Sequence, residues 1–113
     1  MKRPLLMSGG WDMAIKKIVV VTAEWEKLSG LVKKACEEAA KELGVEVKEL
    51  KEDWDYLVQH GVKDEFGGID LPQVFLEFED GSVKHVLTRI PLDEEGRPNV
   101  REAVRMIVGA GRG

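Results

Sequence analysis

The residue with the clearest capacity for chemistry in this chain is its single cysteine, Cys36. A lone thiol can serve a one-cysteine redox reaction or accept a glutathionyl group. It cannot form an internal disulfide, a cysteine-only zinc site or a dithiol redox centre within one chain. Cys36 falls on an apolar stripe of helical spacing, and an apolar setting raises the pKa of a thiol and makes it inert. The pattern therefore favours a buried structural cysteine over a reactive one.

Two further side chains with catalytic potential, Glu26 and Ser29, lie just before this stripe. Glu26 could act as a catalytic carboxylate, but the sequence offers it no evident paired carboxylate and no identifiable nucleophile. A negative charge at the start of a helix is the favoured interpretation, because unpaired N–H groups and the helix dipole stabilise an anion there. Ser29 could be an activating hydroxyl, and a plain helix N-cap is the favoured alternative.

The histidines and the acidic run do not have the spacing of metal ligands. His60 and His85 are far apart in the sequence, and residues 93–95 lack the pattern that a calcium loop requires. Trp54 and Tyr56 flank Asp55 in an acidic protein, which favours a role in packing over a platform on which nucleic-acid bases would stack. We expect no metal and no cofactor.

Composition limits the classes of protein that this chain can represent. Its 113 residues are 43% apolar and 34% charged, which indicates one ordered globular domain. The net charge of −4 argues against nucleic-acid binding through phosphate contacts. No apolar run is long enough to span a membrane, so we expect a cytoplasmic protein without membrane contact. The scarcity of Asn and Gln beside abundant Glu and Lys is a trend of thermophilic proteins.

Hydrophobic periodicity predicts an α/β domain at residues 14–109, preceded by a flexible arm at 1–13 and followed by a flexible tail at 110–113. The β-branched run at 15–22 predicts a buried strand. The apolar stripe that follows predicts a helix that begins with Ser29 as N-cap and ends at Gly44. Residues 45–50 predict a second strand, which a right-handed crossover makes parallel to the first.

Turn and cap signals predict the second half of the domain. Asp53 is expected to cap a short helix that ends at Gly61. Residues 73–79 and 82–90 predict a hairpin around the dipeptide Asp80-Gly81. Asn99 is expected to start a final helix that ends at Gly109. The resulting order is βαβ, a short helix, a β-hairpin and a helix, which predicts a mixed central sheet with helices on both faces.

This order, together with three stretches, resembles the thioredoxin family over about residues 15–108. The stretches are Ala23-Glu24-Trp25 after the first strand, Ile69-Asp70-Leu71-Pro72 before the third, and Val74-Phe75-Leu76-Glu77-Phe78 followed by Asp80-Gly81. The departures concern redox chemistry. The segment Glu26-Lys27-Leu28-Ser29 occupies the place of the family's Cys-x-x-Cys motif, and Val20 occupies the place of its buried aspartate. The resemblance therefore implies a member that lacks dithiol exchange.

The same resemblance implies a binding surface. It implies a cis peptide bond before Pro72 and, at Leu71, the backbone that pairs with bound peptide in the family. Trp25, Leu28, Leu71 and Pro72 would then form an apolar groove for an extended partner segment. The alternative is that these residues only cover the edge of the core.

We therefore expect a protein-binding or assembly module, with an unknown protein partner or self-association. The alternative is a one-thiol or glutathione-linked oxidoreductase that uses Cys36 or Ser29. Serine-type glutathione transferases share this N-terminal fold, but they need an additional helical domain for which this chain has no room.

Overall fold

The computed structural model describes residues 14–63 and 65–112, which form four strands and three helices. In chain order these are β1 (Ile15–Thr22), α1 (Ser29–Leu43), β2 (Glu46–Lys51), α2 (Trp54–His60), β3 (Gln73–Phe78), β4 (Val83–Thr88) and α3 (Val100–Arg112). The predicted element order is therefore confirmed. The predicted arm at residues 1–13 lies outside the described residues.

The strands form one mixed sheet in the order β2-β1-β3-β4. The β1 and β2 strands are parallel, as predicted, and β3 is antiparallel to both of its neighbours. Thr22 pairs with Lys51, and Val21 pairs with Gln73. The ends of β1 and β2 therefore lie beside the beginning of β3, and we call this the upper end of the sheet.

The main core lies between one face of the sheet and the two longer helices. Alternation along β1 directs Ile18 and Val20 to this face. Helix α1 contributes Val32 and Cys36, and helix α3 contributes Ile107. Burial of these apolar side chains is the principal force that holds both helices on the sheet.

A smaller core lies on the opposite face, where Val19, Val21 and Phe75 pack under Leu57 of α2. The sheet is thus covered by helices on both faces, as predicted, but unequally. Two helices of 15 and 13 residues cover one face, whereas the seven-residue α2 covers the other. No helix within the described ranges is both long enough and apolar enough to cross a membrane.

Three of the predicted turn and cap signals are confirmed. The Asp53 carboxylate accepts a hydrogen bond from the Tyr56 N–H (3.0 Å) at the start of α2, and Asn99 Oδ1 accepts one from the Glu102 N–H (3.0 Å) at the start of α3. Gly81, in the β3–β4 turn, has a φ of 91°, a conformation that favours glycine.

Two predicted helix boundaries are wrong. The N-cap of α1 is Leu28, without a side-chain cap, and Ser29 is the first helical residue. Helix α3 continues through Gly109 to Arg112, so residues 110–112 are helical rather than a tail. Its last turn passes so close to β1 that a Cβ at Gly111 would lie 2.5 Å from Ile15 Cδ1. Gly111 thus serves a close approach between elements, whereas the sequence pattern placed it in a flexible tail after a helix end at Gly109.

Candidate functional site

The loop between β1 and α1 is a compact turn that holds the Glu26 carboxylate at the start of the helix. The Glu26 N–H donates to the Ala23 carbonyl (3.1 Å), which folds the chain back after β1. The Leu28 N–H then donates to Glu26 Oε1 (2.6 Å). The carboxylate therefore takes up one of the N–H groups that a helix start leaves unpaired, in agreement with the predicted role as a helix-start charge.

Ser29 closes the same turn from the other side. Its side-chain oxygen accepts a hydrogen bond from the Ala23 N–H (3.2 Å), and the residue is only 7% exposed. The predicted N-cap bond would have pointed forward into the helix, but the hydroxyl points back to the end of β1. Both Glu26 and Ser29 thus accept hydrogen bonds from the loop backbone, and within residues 14–63 and 65–112 no hydrogen bond joins the Ser29 hydroxyl to a basic side chain.

The four residues of the expected groove are placed near the upper end but differ sharply in exposure. Trp25 is 64% exposed, and Leu28 is half-buried against the main core. Leu71 is buried in the smaller core together with Ala23, and Pro72 is fully buried. The side chains of Leu71 and Pro72 therefore cover the edge of the core, which was the alternative to the groove.

The Leu71–Pro72 peptide bond is cis, as the resemblance implies. The Pro72 carbonyl accepts a hydrogen bond from the Arg89 N–H (2.7 Å), which ties the segment before β3 to the end of β4. Gln73 fixes the preceding loop, because its side-chain amide exchanges two hydrogen bonds with the backbone of Val62 (3.0 and 3.1 Å). The chain before β3 is thus anchored on both sides.

An open cleft of about 400 Å³ lies beside the β1–α1 loop and was not predicted from the sequence. The Glu49 carboxylate lies at its wall, where it accepts a 2.6 Å hydrogen bond from the Thr22 hydroxyl and lies 3.0 Å from Lys33 Nζ. The Thr22 bond, opposed by burial and aided by Lys33, holds the pKa of Glu49 below its usual range. The hydrogen bond from Lys33 to Glu49, followed by the negative charge of Glu49, raises the pKa of Lys33.

A second ion pair, between Lys51 Nζ and Glu24 Oε2 (3.5 Å), crosses the mouth of this cleft. The cleft is therefore polar, and both carboxylates and lysine side chains line it. The proximity of Thr22 and Glu49 could have been expected from the sequence, because parallel pairing of the two predicted strands brings their ends together. The exact register of that pairing could not be read from the pattern.

Cys36 lies in the main core and is fully buried. Burial, followed by the nearby Glu37 carboxylate, raises the pKa of its thiol to about 12. Since the thiolate is the reactive form, this environment suppresses nucleophilic and redox chemistry at the only thiol of the chain. Val20, which the resemblance aligns with the family's buried aspartate, lies in the main core.

The two histidines pack in one aromatic row on the smaller core. The rings of His60 and Tyr56 are 4.7 Å apart, and Phe75 lies between Tyr56 (5.2 Å) and His85 (5.6 Å). Burial lowers the pKa of His85. Within residues 14–63 and 65–112, no three His, Cys, Asp or Glu side chains converge as a metal site would require.

Comparisons with protein-family models, with curated proteins and with solved structures found no match for this chain.

Proposed function

We propose that this chain is a thioredoxin-fold protein without dithiol redox activity, and that it acts as a protein-binding or assembly module through the surface around Trp25 and Pro72. The observation that carries the proposal is the β1–α1 loop. The resemblance sets Glu26 and Ser29 at the place of the family's two thiols, and both side chains accept hydrogen bonds from the loop backbone.

The sheet and its connections support the fold part of the proposal. A parallel βαβ unit is followed by a hairpin whose first strand pairs antiparallel with β1, and helices cover both faces. In this wiring, the start of α1 and the residue before β3 come to the same end of the sheet. That juxtaposition is what the resemblance requires of Trp25 and Pro72.

The thiol chemistry of the chain supports the redox part. A disulfide exchange needs an attacking thiolate and a resolving thiol in reach of one another. Cys36 has no second cysteine in the chain, and its raised pKa leaves almost no thiolate at neutral pH. The one-thiol alternative requires the same buried group, and the Ser29 alternative requires a hydroxyl that is only 7% exposed and that accepts a hydrogen bond from the Ala23 N–H.

The exposure of Trp25 supports the binding part. An indole that is 64% exposed is a large apolar surface for a polar loop, and tryptophan is among the residues most often found at the energetic centres of interfaces. Leu71 and Pro72 contribute by holding the adjacent backbone rigid rather than by offering side chains.

The redox part is tested by insulin reduction with dithiothreitol as the electron source. The wild-type protein and Cys36→Ala should both leave the rate at that of dithiothreitol alone. The double variant Glu26→Cys/Ser29→Cys, in a Cys36→Ala background, should gain an oxidisable pair and accelerate the reaction, whereas each single cysteine should not. Wild-type catalysis, or a double variant that behaves as its single variants do, would contradict the proposal.

The binding part is tested by affinity isolation with Trp25→Ala beside the matched control Met106→Ala. Met106 is 37% exposed on α3, away from the proposed surface. A specific partner should be lost with Trp25→Ala and retained with Met106→Ala. Equal retention by both variants would show that the surface around Trp25 does not bind it.

A further inference from the structure

Most of the exposed large apolar side chains of the described residues belong to three segments. The described residues expose seven large apolar side chains, and five of them lie in residues 23–28, 51–58 and 62–70. These five are Trp25 (64%), Trp54 (45%), Val58 (61%), Val62 (47%) and Phe66 (89%). We call them the apolar surface. Exposed apolar side chains gathered on neighbouring segments are typical of surfaces that bind another molecule.

Hydrogen bonds and strand register bring the three segments together. The Glu52 N–H donates to the Thr22 carbonyl (2.7 Å), so the chain leaves β1 and β2 side by side. Trp25 and Trp54 each follow three residues after the end of their strand. Val62 is bound to the Gln73 side chain, and Gln73 pairs with Val21 near the end of β1.

Helix α2 connects the two halves of this surface. Leu57 faces the smaller core, whereas Trp54 and Val58 are one turn apart and point to solvent. One side of this seven-residue helix is therefore buried in the smaller core, and its opposite side exposes apolar side chains to solvent. This exposure cannot be explained by packing within the described residues.

The charges around the apolar surface have one predominant sign. Across residues 23–28, 51–58 and 62–70, the described residues carry seven carboxylates and three lysines. One of these lysines, Lys51, is paired with Glu24, which leaves six carboxylates and two lysines. An interface is favoured when the potentials of the two partners are opposite, and a like-charged partner is repelled. A second copy would place this acidic surface against itself, so the charge distribution favours a basic partner.

We propose that the apolar surface binds a segment of another protein that combines apolar side chains with lysine or arginine. The inference rests on the proposed binding function and adds the chemistry of the partner. The indoles and Phe66 take up the apolar side chains, and the surrounding carboxylates select the positive charge. Opposite charge governs specificity and the association rate, while the buried apolar contacts govern the lifetime of the complex.

The experiment uses the full chain and three synthetic peptides of about twelve residues, which alternate leucine with lysine, leucine with glutamate, and alanine with lysine. Binding is measured by titration calorimetry and mapped by backbone amide NMR shifts. The Leu/Lys peptide should bind at least about tenfold more tightly than either of the others. Its affinity should fall with added salt, because the Debye length shortens. The shifts should cluster in residues 24–27, 52–58 and 62–66.

Trp54→Ala and Val58→Ala should weaken the Leu/Lys peptide severalfold, and Met106→Ala should leave it unchanged. Far-ultraviolet circular dichroism of each variant checks that the fold is retained. Equal binding of the Leu/Lys and Leu/Glu peptides, or shifts scattered over α1 and α3, would overturn the proposal. Concentration-dependent dimerisation that shifts the same residues without peptide would also overturn it, in favour of a second copy.

The outcome separates this inference from the function on which it depends. If a natural partner is lost with Trp25→Ala but that partner is acidic, the binding function holds and the partner chemistry is wrong. If the Leu/Lys peptide binds as expected but the partner survives Trp25→Ala, the basic-segment site stands and the proposed role of Trp25 fails.

Discussion

The Thr22 hydroxyl donates a 2.6 Å hydrogen bond to the Glu49 carboxylate, which joins the last residue of β1 to the neighbouring strand β2. Lys33 of α1 approaches the second oxygen of the same carboxylate at 3.0 Å. One carboxylate thus connects the two parallel strands with the helix that crosses between them. This arrangement fixes the position from which the β1–α1 loop, with Trp25, leaves the sheet.

Replacement of this hydroxyl by a methyl group, Thr22→Val, should lower the free energy of unfolding by about 1–2 kcal/mol, because a partly buried charge-assisted hydrogen bond is lost. Urea denaturation measures the change. Ser82→Ala is the matched control, since the Ser82 hydroxyl also donates to a carboxylate, Asp80 (2.7 Å), but in an exposed turn. Ser82→Ala should lower the free energy of unfolding by less than about 0.5 kcal/mol. Equal losses would show that burial does not strengthen the Thr22 bond.

The pH dependence of the same variant follows from the lowered pKa of Glu49. A carboxylate whose pKa is lower in the folded state stabilises the fold above its unfolded pKa, and this contribution is lost as the pH falls through the folded pKa. Thr22 is the main cause of the lowering. The difference in stability between wild type and Thr22→Val should therefore be larger at about pH 7 than at about pH 3. A difference that grows on acidification would contradict this assignment.

The Cys36 thiol should react with a thiol reagent such as dithiobis(nitrobenzoic acid) only after denaturation. Burial and a pKa of about 12 leave it both inaccessible and protonated at neutral pH. Gly30→Cys in a Cys36→Ala background provides the control, because Gly30 is exposed in the first turn of α1 and has no neighbouring atom near its Cβ position. That thiol should label rapidly in the folded protein. Rapid labelling of wild-type Cys36 would restore the one-thiol enzyme as a candidate.

Two glycines should respond oppositely to alanine. A Cβ at Gly61 would lie 2.6 Å from the backbone carbonyl oxygen of Leu57, so Gly61→Ala should destabilise the fold by about 1–3 kcal/mol. A Cβ at Gly109 would meet nothing within 4 Å in the middle of α3, so Gly109→Ala should stabilise by about 0.5–1 kcal/mol. Thermal unfolding of the two variants compares them directly. Stabilisation by Gly61→Ala would mean that the end of α2 is packed differently.

The Tyr56 hydroxyl should contribute about 1–2 kcal/mol to stability through its 2.7 Å hydrogen bond to Glu77 Oε2. Burial, followed by this carboxylate, raises the pKa of the phenol, so the bond persists throughout the ordinary pH range. Tyr56→Phe keeps the ring that packs on Phe75 and removes only the donor. Hydrogen exchange should accelerate in α2 more than in α1. Uniform acceleration would show that the bond does not act locally.

Local patterns of the sequence determine most of the elements of this fold. Gly44 ends α1 at a φ of 75°, Asp53 begins α2, and the Asp80-Gly81 dipeptide forms the hairpin turn. Each signal acts through neighbouring backbone atoms, so it can be read without knowledge of the fold. The end of α3 could not be read in this way, because Gly111 meets Ile15 from the opposite end of the described chain.

The candidate site was harder to predict for the same reason. The position of Glu26 at the helix start depends on residues next to it and was expected. The burial of Leu71 beside Ala23 depends on two segments nearly fifty residues apart in the chain, and the contact of Thr22 with Glu49 depends on strand register. The direction of the Ser29 hydroxyl depends on whether the loop folds back far enough to bring the Ala23 N–H within hydrogen-bond distance. None of these leaves a periodic trace in the sequence.

The two faces of the sheet are covered unequally, so we expect the face under α1 and α3 to be more stable than the face under α2. The seven-residue α2 packs on a smaller core than the two longer helices do, so we expect it to open locally at a lower cost than global unfolding. Most of the residues proposed to bind a partner lie on α2 or in the segment that follows it. A bound segment would therefore add a further layer outside α2, and its binding would slow deuterium uptake in α2 and in the strands beneath it.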